Sequence, residues 1–257
     1  MSPGVLVRAL AGLFGLVMGS AVTALAHRVP RGASWVRGRS ACPACGARLG
    51  PRDLVPVLSF ALARGRCRHC GARIAWRYPL TELVCGAWAV LLVDRVGLQW
   101  GFLPIAAWGF LLVALTWIDL DFQLLPDALT FPGTLLAIGW AATQPGGVHQ
   151  ALLGVLVGSG LLWALAELWV RVRRIEGLGG GDIKLAAMFG AALGWRLALV
   201  TLFVAALAGS LWGLALIVAR RGSGRTALPF GTLLAPTAMA VFLWGERWVQ
   251  GYLRLFR

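Results

Sequence analysis

The chain has 257 residues, of which 59% are hydrophobic and only 13% charged, and its formal net charge is +14. With a mean hydropathy of +0.77, it departs from soluble domains, whose charged fraction is about 25%, and reads as a polytopic membrane protein.

The first apolar run covers about residues 4 to 26 and is long enough for a bilayer, which takes about 20 apolar residues. Arg8 and Ala24-Leu25-Ala26 also have the pattern of a cleavable secretion signal. Cleavage would leave an arginine-rich loop outside, against the positive-inside rule, so the run is read as an uncleaved first helix.

The loop from His27 to Tyr78 holds eleven arginines against one acid, Asp53. It also holds Cys42-Pro43-Ala44-Cys45 and Cys67-Arg68-His69-Cys70, followed by Gly46 and Gly71. Two such knuckles, about twenty residues apart, can set four thiolates at the corners of a tetrahedron, as structural zinc requires. The glycines let each knuckle turn back toward the metal. Two disulfides are the alternative in an oxidising compartment. A nucleic-acid ribbon is a third reading, opposed by a supply of stacking aromatics limited to Phe60, Trp76 and Tyr78. His69 is read as solvated. With few apolar residues, the loop is expected to depend on metal for its order.

The second run, about 79 to 93, begins beside Glu82, an acid favoured at a helix start by the dipole. It contains Cys85, read as a small buried apolar residue. Asp94 beside Arg95 reads as a solvated pair. A third run, about 98 to 118, ends at Asp119, which opens the stretch AspLeuAspPheGlnLeuLeuProAsp and is followed by Asp121 and Asp127.

The fourth run, about 128 to 143, carries Pro132 near its start, and the sixth, about 183 to 195, is closed by Trp195 and Arg196; both are short for full spans. Between them lies a fifth run, about 148 to 170, where Glu167 is four residues before Arg171 and reads as an intrahelical pair. The sixth is preceded by Gly179-Gly180-Gly181-Asp182 and opens on Ile183-Lys184. Runs at about 197 to 219 and 230 to 249 bring the expected number of spans to eight.

Basic residues set the orientation. With the first helix running inward, the cytoplasmic side collects the loop arginines and Arg171, Arg173, Arg174, Lys184, Arg220, Arg221 and Arg225. The outer side has Arg8, Arg95, Arg196, Arg247, Arg254 and Arg257, eighteen against six. The net charge is largely this asymmetry, which matches anionic lipid headgroups and calls for no nucleic acid.

Asp119 and Asp182 then lie at cytoplasmic ends of helices. A carboxylate within a span costs about 2.5 to 3.5 kcal/mol at its centre, so both are functional candidates. Two carboxyls facing each other share a proton and divide into an acid and a base. Such a pair can hydrolyse a peptide with neither a metal nor a covalent nucleophile. Asp121 and Asp127 are local rivals to Asp119, since three carboxylates crowd one short turn. Residues without a Cβ before Asp182 allow close approach of backbone to a substrate strand and positive φ. Lys184, the sole lysine, either steadies an ionised carboxylate or snorkels to headgroups.

The ordered set of Gly19-Ser20, the twin knuckles, Arg77-Tyr78-Pro79-Leu80-Thr81-Glu82, the Asp119 to Asp127 stretch and Gly179-Gly180-Gly181-Asp182-Ile183-Lys184 resembles the type IV prepilin peptidases, over almost the whole chain. The resemblance implies a bacterial inner-membrane enzyme that removes the basic leader from prepilins and pseudopilins on the cytoplasmic side. It implies Asp119 and Asp182 as the catalytic pair, with Gly179 and Gly181 in the Gly-x-Gly-Asp motif. It also implies a supporting place for Glu82 toward substrate or cofactor. Relatives that keep the cysteine loop also methylate the new amino terminus with S-adenosylmethionine.

The expected fold is all-α and transmembrane, with about eight helices. Residues 1–26 form the first helix, 27–78 a zinc-ribbon-like cytoplasmic loop on Cys42, Cys45, Cys67 and Cys70, and 79–257 the helical domain with the two aspartates. A presenilin-like protease would not be expected to carry this loop, a transporter would line a path through the midplane with its acids, and a tethered zinc ribbon would leave the aspartates dispensable.

Overall fold

The computed structural model describes residues 3–34, 38–174, 179–219 and 229–256. Arg220, Arg221, Arg225 and Arg257, counted above in the charge asymmetry, lie outside the described residues. Among the described residues the regular structure is helical, with two isolated antiparallel bridges. The chain divides into two units, Met1–Phe102 and Leu103–Arg257.

In the first unit, α1 (Pro3–Arg28) pairs with α3 (Arg77–Val96). The two backbones approach closely because α1 presents glycines there. A Cβ on Gly15 would strike the carbonyl of Cys85, and one on Gly19 would lie 2.5 Å from Cα of Glu82. Cys85 is fully buried at this seam, in keeping with its reading as a small apolar residue. The pair is antiparallel: near its other end Nε of Arg8 donates to Asp94 at 2.8 Å. Asp94 was expected to pair with its neighbour Arg95; its place inside α3, facing α1, gives it Arg8 instead.

The long connection between these helices contains the cysteine knuckles and, among the described residues, two 3-10 turns, Val29–Arg31 and Pro51–Asp53, and a short α-helix, α2 (Leu58–Leu62). It is tied to α3 by Glu82, whose Oε2 accepts the N–H of Val57 at 2.7 Å.

The second unit is built from α4 (Phe102–Phe122), α5 (Asp127–Ala141), α6 (Gly147–Arg173), α7 (Gly180–Val218) and α8 (Gly231–Arg254). Helix α4 is central: 61% of its most apolar stretch is buried, against 22% for α6 and 17% for α7. Ile105, Trp108, Leu112, Leu115 and Ile118 are fully buried along it. The Trp108 indole N–H donates to the carbonyl of Met188 on α7 at 3.2 Å, meeting the requirement that a buried donor find a partner.

Helices α6 and α7 touch backbone to backbone, with Gly154 against the carbonyl of Gly190 and the reverse. The sixth and seventh apolar runs are two helical segments, named together as α7 and separated by a break at Gly194 (φ 71°, ψ 171°), a conformation that suits glycine. The break falls one residue before Trp195, where the sequence pattern ends the sixth run.

Among the described residues, four helices are long and apolar enough to cross a membrane: Gly4–Arg31, Phe102–Phe122, Gly147–Arg173 and Gly180–Val218. Their large side chains are exposed in rows, Leu6, Leu10, Leu13 and Val17 on α1 and Phe203, Leu207, Leu211 and Leu214 on α7. Apolar surface of that extent requires lipid, and the chain is a membrane protein.

Candidate functional site

Asp119 lies on the last turn of α4, three residues from its end at Phe122. The helix dipole is unfavourable to a carboxylate there. The opposing contribution comes from the start of α8: the Thr232 N–H donates to Oδ2 of Asp119 at 2.6 Å and the Thr232 hydroxyl donates to the same oxygen at 3.0 Å.

Asp182 is the third residue of α7, whose N-cap is Gly179. Its own N–H donates to the carbonyl of Gly179 at 3.0 Å. Its position in the first turn is favoured by the same dipole that disfavours Asp119 on α4.

The two carboxyls share a wall. A Cβ on Gly181 would lie 2.9 Å from Cβ of Leu125, and one on Gly231 would lie 3.0 Å from both Leu125 and Oδ2 of Asp119. Leu125, itself buried, therefore packs against the backbone beside each aspartate. Asp119 is 5% exposed and Asp182 9%, and these are the only buried carboxylates among the described residues.

The other acids of the Asp119 stretch are placed differently. Asp121 and Asp127 are exposed, and Asp127 meets Nζ of Lys184 at 2.5 Å. Lys184 thus pairs with an acid outside the buried pair, rather than with either buried carboxylate or with headgroups alone. Glu167 and Arg171 form the expected intrahelical pair at 2.8 Å.

In the Gly179 to Gly181 run, Gly181 serves space and not handedness. No positive φ occurs at these three residues, and the missing Cβ of Gly181 is what admits Leu125. Gly231 and Thr232 were not singled out from sequence. A glycine followed by a hydroxyl residue at the start of an apolar run was the available signal, and nothing in it pointed to a partner 113 residues away.

In the first unit, all four sulfur atoms of Cys42, Cys45, Cys67 and Cys70 lie within 4.8 Å of one another. The Cys42 and Cys70 sulfurs are 3.9 Å apart, close to the edge of about 3.8 Å that a tetrahedron with metal–sulfur bonds of 2.3 Å requires. All four thiols are free. The two knuckles repeat one pattern: Cys42 N–H to Ala47, Gly46 N–H to Cys42, Cys67 N–H to Ala72 and Gly71 N–H to Cys67. Gly46 and Gly71 have φ of 71° and 72°, the left-handed turn that glycine allows.

Backbone N–H groups also favour the thiolate: those of Cys45 and Ala44 lower the Cys42 thiol to about 7, and those of Cys70 and His69 lower Cys67. The donor set fits a thiophilic metal ion such as zinc.

Residues 13–96 match the Bacterial Peptidase A24 N-terminal domain, and residues 105–214 match the Type IV leader peptidase family. Among curated proteins the chain is 33% identical over 270 residues to a prepilin leader peptidase/N-methyltransferase of Pseudomonas aeruginosa, covering 94% of this chain and 92% of the relative. It is 38% identical over 221 residues to the protein of that name from Aeromonas hydrophila, with 85% and 76% covered. For the one from Bacillus subtilis the identity is 32% over 244 residues, with 95% and 96% covered. No solved structure matches.

Proposed function

Because the chain belongs to the type IV leader peptidase family, we propose that it is a membrane aspartyl endopeptidase that cleaves the basic leader of type IV prepilins or pseudopilins and methylates the new amino terminus. The observation that supports the peptidase chemistry most directly is the burial of Asp119 and Asp182 on either side of Leu125, within an otherwise apolar helical unit.

In this reading the ionised carboxylate of the pair takes a proton from water as the water oxygen attacks the scissile carbonyl carbon. The protonated carboxyl donates a hydrogen bond to the developing oxyanion, and its proton then passes to the leaving amine as the C–N bond breaks. The pair titrates as a unit. Water is drawn to the site by the carboxyls, while Leu125 and the surrounding apolar walls keep the substrate helix in a dry environment.

S-adenosylmethionine supplies the methyl group for the second reaction. Cys42, Cys45, Cys67 and Cys70 would hold zinc in a structural capacity, closing a loop that has few apolar residues of its own. The proposal includes the bacterial inner membrane, about eight spans, and a cytoplasmic side for the carboxyl pair and the cysteine loop, an orientation supported by the excess of arginine in the loop between α1 and α3. That loop and the substrate leader are both basic, so the substrate helix is recruited through the bilayer and not by charge steering.

Cleavage of a purified prepilin by the full chain in liposomes, with Asp119→Asn, Asp121→Asn and Asp182→Asn compared in the presence of a chelator, tests the assignment. Loss in the first and third with retention in the second is expected. Normal cleavage by Asp119→Asn or Asp182→Asn would overturn the pair.

A further inference from the structure

The two buried carboxyls are supported by different means. Asp182 sits in the first turn of its own helix, α7, where the dipole favours a carboxylate. Asp119 is held from α8, and both donors converge on one oxygen. Oδ2 is then committed, because an oxygen that accepts an N–H and an O–H at 2.6 and 3.0 Å has little capacity left for a third partner.

The approach is built into the sequence of α8. A Cβ at residue 231 would lie 3.0 Å from Oδ2 and 3.1 Å from Cγ of Asp119, so the preceding glycine is what lets the start of α8 come this close. Only the hydroxyl of Thr232 depends on its side chain; the N–H would be offered by any residue but proline.

We propose that Thr232 is a positioning residue of the hydrolysis, its hydroxyl and N–H clamping Oδ2 of Asp119 so that Oδ1 is the oxygen turned to the reacting water or peptide. The inference rests on the reading of Asp119 and Asp182 as the catalytic pair. It adds α8 to the machinery and assigns the two oxygens of Asp119 different duties. A carboxylate without the hydroxyl clamp rotates about its Cβ–Cγ bond, and loss of alignment at a reacting group lowers the rate of the chemical step without weakening substrate binding.

The test is steady-state cleavage of a purified prepilin by the full chain in liposomes, with Thr232→Val, Thr232→Ser, Thr232→Ala and Asp119→Asn measured side by side. Valine keeps the shape and the N–H and removes the hydroxyl. The expected result is a kcat about tenfold lower for Thr232→Val, as for a hydrogen bond to a charged group, with KM unchanged within about twofold. Thr232→Ser restores kcat to near the parent value, and Thr232→Ala gives the same reading if the valine protein does not accumulate.

Parental kcat in Thr232→Val or Thr232→Ala, with Asp119→Asn inactive, overturns the clamp and leaves the pair standing. A serine variant as slow as valine, or a rise in KM at constant kcat, also overturns it, since either outcome makes Thr232 a packing or substrate contact. Full activity in Asp119→Asn removes the underlying reading, and Thr232 with it.

Discussion

The four thiols and the two carboxyls are both clusters of polar groups in an apolar chain, held together by forces of different range. The thiols come from one loop, where each knuckle is shaped by its own backbone bonds, Gly46 N–H to Cys42 and Gly71 N–H to Cys67. The carboxyls come from α4 and α7, and one of them is clamped by α8, 113 residues further on. A local cluster is set by spacing, and four thiols so placed can close on one metal ion. A helix-borne pair is set by packing, so substitutions that never touch a carboxyl can still move it.

The largest effect separates the two directly. Asp119→Asn and Asp182→Asn are each expected to lower prepilin cleavage by about a thousandfold or more, the scale on which removal of one member of a catalytic set acts. Cys42→Ser and Cys67→Ser, by contrast, are expected to reduce bound zinc from about one per chain to near zero by elemental analysis, and to open the loop to trypsin at Arg48 and Arg64. Structural zinc is worth about 10 to 16 kcal/mol in small zinc-folded units. The comparison breaks if Cys42→Ser abolishes hydrolysis as fully as Asp119→Asn, for then the loop and the pair would be one functional site.

Gly231→Ala sharpens the contrast at a residue with no side chain of its own. Its Cβ would press on Oδ2 of Asp119 and on Leu125, each 3.0 Å away. Cleavage is expected to fall about 10- to 100-fold, since a displacement near 1 Å at the reacting group is worth up to a hundredfold. Thermal stability of the variant, followed by intrinsic fluorescence, distinguishes displacement from unfolding.

In the loop the analogous tether is Glu82. It accepts the N–H of Val57, a β-branched residue at φ 60° that would not hold this conformation unaided. Glu82→Gln is expected to weaken the tether by about 1 to 2 kcal/mol, seen as faster amide exchange around residues 54–60 with the zinc content unchanged. Loss of zinc from that variant would show the cluster to depend on α3 as well as on its knuckles.

The difference in range also explains what could be read from sequence. The knuckles were legible because spacing alone brings Cys42, Cys45, Cys67 and Cys70 together. The helices were legible because apolar runs have few alternatives in a membrane, and the end of the sixth run at Trp195 lies one residue from the break at Gly194 that divides α7. Asp119 and Asp182 stood out because carboxylates are rare in such runs, whereas choosing Asp119 over Asp121 required the resemblance. Burial now separates them, with Asp119 inside and Asp121 exposed. Thr232 was invisible for a physical reason: a hydroxyl at a helix start is ordinary, and its partner is fixed only by how α8 packs on α4.

The smallest effect concerns Lys184, two residues from Asp182 in sequence and yet paired with Asp127 at 2.5 Å, with side chains 44% and 53% exposed. Exposed ion pairs contribute about 0.2 to 1 kcal/mol, so Lys184→Met and Asp127→Asn are each expected to lower the melting temperature only slightly and to leave cleavage within about twofold. A double-mutant cycle decides between two accounts. If the lysine serves only to join the starts of α5 and α7, the double variant is no worse than either single one. If it also acts on Asp182, Lys184→Met lowers kcat about tenfold while Asp127→Asn does not, and the cationic side chain belongs with the packing-dependent site after all.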